Sequence, residues 1–320
     1  MIAAKLAVTG GLVWYLVREV DLDESGEHLA GFDARLGIVA LLVVALLFLI
    51  AALRWHIYAQ ALNISLNVGT AFRLYLIGQF FGQILPAGVG GDAVRVWLLA
   101  RRGVAVGPGA SSVVLERLTG LIGILILIAV LLPLTFSYVG DSGMRLYLVL
   151  ILAIAAAGIS AIIGLSFVPR LITRWRTVAV ISKLADVASE ARHAGLMLKP
   201  ALSVLLLSVF MHLLAVLTIY ILALGLGMEI APHACLALVP VVLLLSTLPI
   251  SVAGWGVRET VMVSALGFAG AESSEAFALS ILFGLALLAL SLVGAIMWLV
   301  QGRSQARRPL GDKKGSEAAL

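Results

Sequence analysis

Residues 85–95 read LPAGVGGDAVR, and a related stretch, LPISVAGWGVRE, recurs at residues 248–259. Each stretch places a proline, a glycine-rich turn and fixed charges inside a segment that is otherwise apolar. Irregular backbone occurs at membrane depth only where protein or a polar cavity covers it. Two interrupted segments in corresponding halves of a membrane chain indicate a transporter's substrate site. The alternative is that leucine–proline turns recur by chance in a chain rich in leucine and glycine.

The composition is that of a polytopic membrane protein. Of the 320 residues, 62% are hydrophobic and 12% are charged, whereas a soluble domain is roughly half apolar and a quarter charged. The net charge of +5 comes from basic residues scattered between apolar runs. They have no aromatic stacking platform beside them, so nucleic acid is not an expected partner. A single cysteine excludes an internal disulfide and a cysteine-based metal site.

Apolar runs near the ~20 residues that cross a bilayer predict six plain spans. They lie at about 2–17, 36–53, 112–133, 146–168, 201–224 and 278–301. The motif segments, 68–100 and 233–269, lie between these spans. After the first motif only about 9 residues, or ~14 Å of helix, precede Arg101, which is too short to cross. The sequence therefore predicts an all-α polytopic membrane protein with six plain transmembrane helices and two re-entrant helical hairpins.

The distribution of basic residues predicts the orientation. Lysine and arginine concentrate in the 169–199 connection, in the tail and around the first hairpin, whereas the alternate loops are mainly acidic. Because basic loops favour the cytoplasm, both termini are predicted to be cytoplasmic, in a bacterial inner membrane. The hairpins then enter from opposite faces and form an inverted repeat. The membrane domain is predicted over 1–301, and 302–320 is predicted to be a disordered basic tail.

Charged side chains beside the two turns suggest an anion site. The half-helix that follows each turn would point free N–H groups and its positive dipole end toward mid-membrane. Arg95 and Arg258 add positive charge, and the arginine fork suits a phosphate better than lysine does. Asp92 can cap the first half-helix. The alternative is that Asp92–Arg95 and Arg258–Glu259 are ion pairs that pin the hairpins.

Five further polar side chains fall in apolar segments. Glu116 lies inside an apolar run and needs a partner, whereas Arg117 can extend to the interface. His212 lies near the middle of its predicted span and could relay a proton, or could be a hydrogen-bonded packing residue. Gln79 and Gln83, four residues apart, could line a cavity or bond to neighbouring helices.

The predicted site combines the charged and polar side chains of both motif segments with those of the neighbouring spans. The predicted substrate-binding residues are Gln79, Gln83, Asp92, Arg95, Glu116, Arg117, Trp255, Arg258 and Glu259, and His212 is the candidate proton relay. The predicted turn residues are Pro86, Gly88, Gly90, Gly91, Pro249, Gly254 and Gly256. The sequence contains no GxxxxGK[ST], HExxH, GxSxG or CxxC motif, so no catalytic residue, cofactor or metal is predicted.

Three ordered motifs, at residues 78–95, 112–117 and 249–259, resemble those of a known family. The family is the flippase-like transmembrane domain of lysylphosphatidylglycerol synthases, the multiple peptide resistance factors, and the resemblance covers about residues 1–301. It implies movement of aminoacylated phosphatidylglycerol between leaflets, and stand-alone members are linked to glycan-linked or hopanoid lipids. The sequence holds no soluble aminoacyl-transfer domain, so a stand-alone member without synthase activity is expected.

The expected function is therefore a lipid flippase or transporter, not an enzyme. A phospholipid or a polyprenyl- or hopanoid-type lipid would place its phosphate between Arg95 and Arg258. Asp92, Glu116 and Glu259 would balance these arginines or meet a cationic headgroup. One alternative is a membrane-embedded transferase acting on a lipid-phosphate-linked sugar. Another is a non-transporting scaffold for a separate lipid synthase, which would then be a partner.

Overall fold

The computed structural model describes residues 20–85, 90–140, 198–247 and 254–306, together with scattered positions within 10–18 and 145–157. This part of the chain is helical and contains no strand. Its helices are α1 (Leu22–Ala30), α2 (Ala34–Ala61), α3 (Val68–Ile84), α4 (Gly90–Ala100), α5 (Val106–Tyr138), α6 (Leu198–Gly225), α7 (Pro232–Ser246), α8 (Val257–Gly267) and α9 (Ser273–Ala306).

Four of these helices are long and apolar enough to cross a membrane: Ala34–Ala61, Val106–Tyr138, Pro200–Gly225 and Ser273–Val300. The shortest of these stretches has 26 residues, or about 39 Å of helix, against a hydrocarbon core of about 30 Å. The protein is therefore a multi-pass, all-helical membrane protein, as predicted. The predicted spans at 2–17 and 146–168 lie wholly or largely outside the described residues.

The helix α2 is longer than its predicted span. The sequence places the end of the span at residue 53, but the helix continues to Ala61. Arg54 and Trp55 are both buried, with at most 1% of each residue exposed. Asp33 caps its start, because the Asp33 carboxylate accepts a hydrogen bond from the Arg35 backbone N–H at 2.8 Å. An arginine that the sequence assigns to the membrane boundary therefore lies inside the helix bundle.

The helices next to the two motifs are short and form packed pairs. The first pair is α3 with 17 residues and α4 with 11, and the second is α7 with 15 and α8 with 11. In the first pair the backbones approach closely, because a Cβ at Gly91 would collide with the Gly78 carbonyl. Only glycine fits at position 91. Pro86, Gly88 and Pro249 lie outside the described residues.

The two pairs begin at opposite ends of the helices α2 and α6. The Asp33 backbone N–H at the start of α2 donates to the Gly225 carbonyl at the end of α6, at 2.9 Å. Tyr58 near the other end of α2 packs with Val204 near the start of α6. These helices are therefore antiparallel. The first pair follows the end of α2 and the second follows the end of α6, which fits an inverted repeat; re-entry into the membrane stays a prediction.

Two apolar clusters hold the helices together. One joins α2, α3 and α4 to α9 and includes Trp55 and Tyr75, and the other joins α6, α7, α8 and α9. The rings of Phe48 and Tyr75 meet edge to face at 5.8 Å between centroids. Because α9 contributes to both clusters, it connects the two helix pairs.

Candidate functional site

A group of charges, termed the first cluster, consists of Arg54, Asp92, Arg95, Glu116 and Arg117. Arg54, Arg95 and Glu116 are buried, Asp92 is half-buried, and Arg117 is exposed at the edge. The Glu116 carboxylate on α5 lies at the centre of the first cluster. Its Oε1 is 3.2 Å from Nη2 of Arg54 on α2, and its Oε2 is 3.0 Å from Nη1 of Arg95 on α4. One carboxylate therefore joins two arginines from two other helices.

Asp92 connects the rest of the first cluster. Its Oδ1 is 3.4 Å from Nη1 of Arg95, and its Oδ2 pairs with Nε of Arg117. Asp92 lies in the first turn of α4, where the positive end of the helix dipole stabilises its negative charge. With all groups ionised, Arg54 and Arg95 balance the two carboxylates, and the third arginine, Arg117, adds a positive charge on the exposed edge of the first cluster.

The Arg95 guanidinium also contacts two aromatic rings. Its Cζ lies 4.1 Å from the Trp55 ring centroid and 5.1 Å from that of Tyr75. Hydrogen bonds hold both rings in place: Trp55 Nε1 donates to Ser112 Oγ at 3.0 Å, and Gln79 Nε2 donates to the Tyr75 hydroxyl at 3.1 Å. Such cation–π contacts strengthen when the cation is desolvated, so Arg95 is held on several sides.

Arg54 is the member of the first cluster that the sequence did not identify as a site residue. Its Nη2 donates to the Glu116 backbone carbonyl at 2.7 Å, and its Nη1 lies 3.1 Å from the Met211 sulfur on α6. The sequence does contain a signal for this role, because Arg54 directly follows an apolar run. If the helix continues beyond the run, the arginine becomes buried and needs a partner. In the sequence, Arg54 is instead counted among the basic residues around the first hairpin that predict the orientation.

The first cluster contains buried hydrogen-bond donors that have no acceptor among the described residues. Within the described part of the chain, Nη2 and Nε of Arg95 and Nε of Arg54 are buried without a hydrogen-bond partner. Leaving a buried donor unpaired costs about 1–3 kcal/mol, and more for a charged group. The first cluster therefore offers buried guanidinium N–H groups from which an oxyanion can accept hydrogen bonds.

The second group, termed the second cluster, consists of Trp255, Arg258, Glu259 and Ser280. Arg258 donates to Oε1 of the adjacent Glu259 from Nη2 at 2.6 Å and from Nε at 3.0 Å, and its Nε lies 3.3 Å from Ser280 Oγ on α9. Its Cζ lies 4.6 Å from the Trp255 ring centroid. Arg258 and Glu259 are both buried and form an ion pair that is neutral by itself, with two guanidinium N–H groups donating to one carboxylate oxygen.

Glu259 also occupies the start of α8. The Gly256 backbone N–H donates to its Oε2 at 2.5 Å, so this helix end already has a carboxylate at the place where an anion would bind. Gly254 and Gly256 have φ values of +82° and +86°, a conformation that favours glycine. The turn therefore needs both glycines to bring Glu259 back onto its own helix end.

The remaining predicted residues lie at different distances from these clusters. His212 on α6 makes a 3.0 Å hydrogen bond from Nε2 to the Gly120 carbonyl of α5, and Nε2 is the donor because a carbonyl can only accept. This contact fits the packing alternative for His212. Gln83 is half-buried near the end of α3, and Gly90 and Gly91 are buried in the first turn of α4.

Comparison with known proteins gives two matches. Residues 2–294 match the family model described as the lysylphosphatidylglycerol synthase TM region. A UPF0104 membrane protein from Archaeoglobus fulgidus is 33% identical over 81 residues, which cover 25% of this chain and 25% of that relative. The family match extends over nearly all of the described helices, whereas the relative matches only a quarter of its own length.

Proposed function

Because the chain belongs to the lysylphosphatidylglycerol synthase transmembrane family, we propose that it moves an anionic or phosphate-bearing lipid between the leaflets of the inner membrane. The acyl chains stay in the bilayer while the headgroup passes through a polar space between the two helix pairs. The family is that of a membrane lipid-related flippase domain, distinct from a catalytic synthase domain, so we propose a transporter without enzymatic activity.

The observation that supports this proposal most directly is that the first cluster holds buried guanidinium N–H groups without a hydrogen-bond partner among the described residues. A charge facing lipid costs about 2.5–3.5 kcal/mol on insertion scales, and the buried Arg54, Arg95 and Glu116 avoid this cost by pairing with one another. Arg117, whose side chain is 49% exposed, adds a positive charge at the edge of the first cluster. A phosphate that enters the first cluster would accept hydrogen bonds from the N–H groups of Arg95 that have no partner.

Arg95 is the group that we assign to the phosphate. Its Nη1 is held by Glu116 and Asp92, and its Nη2 and Nε have no partner among the described residues. The two free N–H groups of a guanidinium match two oxygens of one phosphate. Glu116 and the aromatic contacts fix the guanidinium in advance, which lowers the entropic cost of binding the headgroup.

The second cluster takes a different role in this proposal. Arg258 is neutralised by Glu259, and Glu259 occupies the end of α8. The second cluster therefore offers a rigid and locally neutral wall, with Trp255 beside it. We assign the headgroup charge to the first cluster, and the second cluster to shaping the opposite wall of the pathway.

The test uses sealed vesicles that contain the purified chain. A fluorescent anionic phospholipid and an uncharged diacylglycerol analogue are followed between leaflets for the wild type, Arg95→Ala and the control Arg35→Ala. Arg35 is exposed at the start of α2, so its loss removes one arginine outside the first cluster. Loss of a charge-assisted phosphate contact costs about 2–5 kcal/mol, so Arg95→Ala should reduce anionic-lipid transport at least about thirtyfold while Arg35→Ala leaves it unchanged.

Three outcomes would contradict the proposal. Equal anionic-lipid rates for Arg95→Ala and wild type, in correctly inserted protein, would place the headgroup site elsewhere. A wild-type chain that moves no lipid, but turns over a labelled lipid-phosphate sugar donor in detergent, would indicate the membrane-embedded transferase. A chain that does neither would indicate the scaffold for a separate synthase.

A further inference from the structure

Three side chains with metal-binding atoms meet far from both clusters. Glu24, His28 and Glu272 each offer one ligand atom, a carboxylate oxygen or a ring nitrogen, and these atoms lie within 4.8 Å of one another. Glu24 and His28 are four residues apart on α1 and therefore share one face of the helix. Glu272 comes from the loop just before α9, so the group joins the two ends of the described chain.

The His28 ring gives independent support for a ligand at this place. Its Nε2 is buried and has no hydrogen-bond partner among the described residues. A buried ring nitrogen without a partner costs free energy, and a cation that His28 binds through Nε2 would remove that cost. Both carboxylates are exposed, so their side chains can rotate toward the ion.

The two segments also meet through contacts outside the three ligand residues, because α1 packs against α9. Ser25 Oγ, one residue after Glu24, lies 3.3 Å from the Ser274 carbonyl, across 249 residues of sequence. The Asp21 side chain fixes the start of α1, because its Oδ1 accepts from the backbone N–H of Asp23 at 3.0 Å and of Glu24 at 3.1 Å. The three ligand residues are therefore placed by contacts that do not depend on the ion.

We propose that Glu24, His28 and Glu272 bind a divalent first-row transition ion of the zinc class. One imidazole and two carboxylates form a mixed nitrogen and oxygen set that suits such an ion better than Mg²⁺ or Ca²⁺, which prefer oxygen alone. A tetrahedral ion with bonds of about 2.0–2.2 Å holds its ligand atoms at roughly 3.4 Å from one another. Small rotations of the two exposed carboxylates close the group to that spacing, and water fills the fourth position.

The ion would fasten α1 to the start of α9. A nine-residue helix is too short to be stable alone, and α1 lies against α9 through the Ser25 contact. An ion held by both segments binds only when α1 is folded and docked, so binding stabilises that arrangement. The group lies at the end of the bundle where α6 ends and α9 begins, on the side predicted to face away from the cytoplasm.

The first experiment measures Zn²⁺ binding to the full chain in detergent after treatment with a chelator. Titration calorimetry should find one Zn²⁺ per wild-type chain, which Mg²⁺ in excess does not displace. Mutation of a residue that only hydrogen-bonds to a metal ligand already weakens metal binding about 10–100-fold. His28→Gln and Glu272→Gln remove ligands themselves, so each should weaken Zn²⁺ binding at least about tenfold. Glu27→Gln is the matched control, because Glu27 is exposed on the same helix but outside the group, and it should bind like the wild type.

The second measurement needs no variant. Diethylpyrocarbonate modifies histidine rings, and peptide mapping by mass spectrometry reports the fraction of His28 that reacts. Zn²⁺ should protect His28 from modification, and Mg²⁺ should not. Wild-type affinity in both His28→Gln and Glu272→Gln, or equal His28 modification with and without Zn²⁺, would overturn the proposal.

Discussion

Arg95 and Arg258 follow the two glycine turns at related positions, but different parts of the chain neutralise them. The main partner of Arg95 is Glu116 on another helix, and that carboxylate is shared with Arg54 of a third helix. Arg258 pairs with Glu259, its neighbour in sequence. The first cluster therefore depends on the packing of α2, α4 and α5, whereas the second pair needs only its own helix end.

This difference has a consequence for conformational change. If α4 moves relative to α5, the Arg95–Glu116 contact breaks and a buried charge loses its partner. If α8 moves, Arg258 and Glu259 move together and stay neutral. The first cluster thus couples the headgroup site to the arrangement of the helices. In the second cluster only the weaker contacts to Ser280 on α9 would change, while the Arg258–Glu259 pair stays intact.

The largest expected effect follows from removing the carboxylate that two arginines share. Glu116→Gln leaves both Arg54 and Arg95 without their central partner, and breaking one buried pair already costs about 3–5 kcal/mol. We expect the free energy of unfolding to fall by at least the upper end of that range. The measurement is reversible unfolding of the detergent-solubilised chain, with exposed Glu27→Gln as the control.

The same measurement also checks whether the first cluster is shared. Adding Arg54→Met to Glu116→Gln should recover only part of the loss, because Arg95 then retains only Asp92. Full recovery in this double variant would contradict the shared arrangement, since it would mean that Arg95 does not depend on Glu116.

The next effect concerns the second pair. Arg258→Met and Glu259→Gln should each lower the free energy of unfolding by about 3–5 kcal/mol, because each leaves a buried charge unpaired. The double variant should lose less than either single variant, since no charge remains. A double-mutant cycle measures this coupling, and additive losses would show that the two side chains are not paired in the folded protein.

The sequence suggests the Arg258–Glu259 and Asp92–Arg95 pairs as alternatives to an anion site, but it gives no partner for Glu116. Arg258 and Glu259 are adjacent, so their pairing could be considered without knowledge of the fold. The Arg54–Glu116 contact depends on how α2 packs against α5, and no local pattern reports that packing. The predicted span also ends at residue 53, just before Arg54, where the hydrophobic run stops, although the helix continues to Ala61.

The helices themselves were predicted more fully than the contacts between them. Four of the predicted spans coincide with long helices, because a run of about 20 apolar residues is a strong local signal. The Glu24, His28 and Glu272 group had no such signal, since its residues come from opposite ends of the described chain. Side-chain pairs that form across helices need the tertiary structure.

A smaller effect is expected on the rate of lipid transport when Arg95 or Arg258 is replaced by lysine. Arg95→Lys keeps the positive charge but loses the two-pronged contact with phosphate, and one lost hydrogen bond to a charged group costs about 1.5–3 kcal/mol. We expect transport of an anionic lipid to slow by about tenfold or more. Arg258→Lys keeps its pair with Glu259 and should transport at nearly the wild-type rate. Equal slowing in both variants would contradict the division of roles between the clusters.

The smallest expected effect concerns the tryptophan beside each arginine. Trp55 is fully buried, lies over Arg95 and donates to Ser112 Oγ, whereas Trp255 is half-buried beside Arg258. Trp55→Phe loses the indole hydrogen bond and weakens the cation–π contact, so the free energy of unfolding should fall by about 1–3 kcal/mol. Ser112→Ala removes the hydrogen bond but keeps the indole, and should cost less than Trp55→Phe. Trp255→Phe should lower the free energy of unfolding by only about 0.5–1 kcal/mol, because a half-exposed ring contributes less. An equal loss of stability for both tryptophan variants would show that Arg95 is no more tightly held than Arg258.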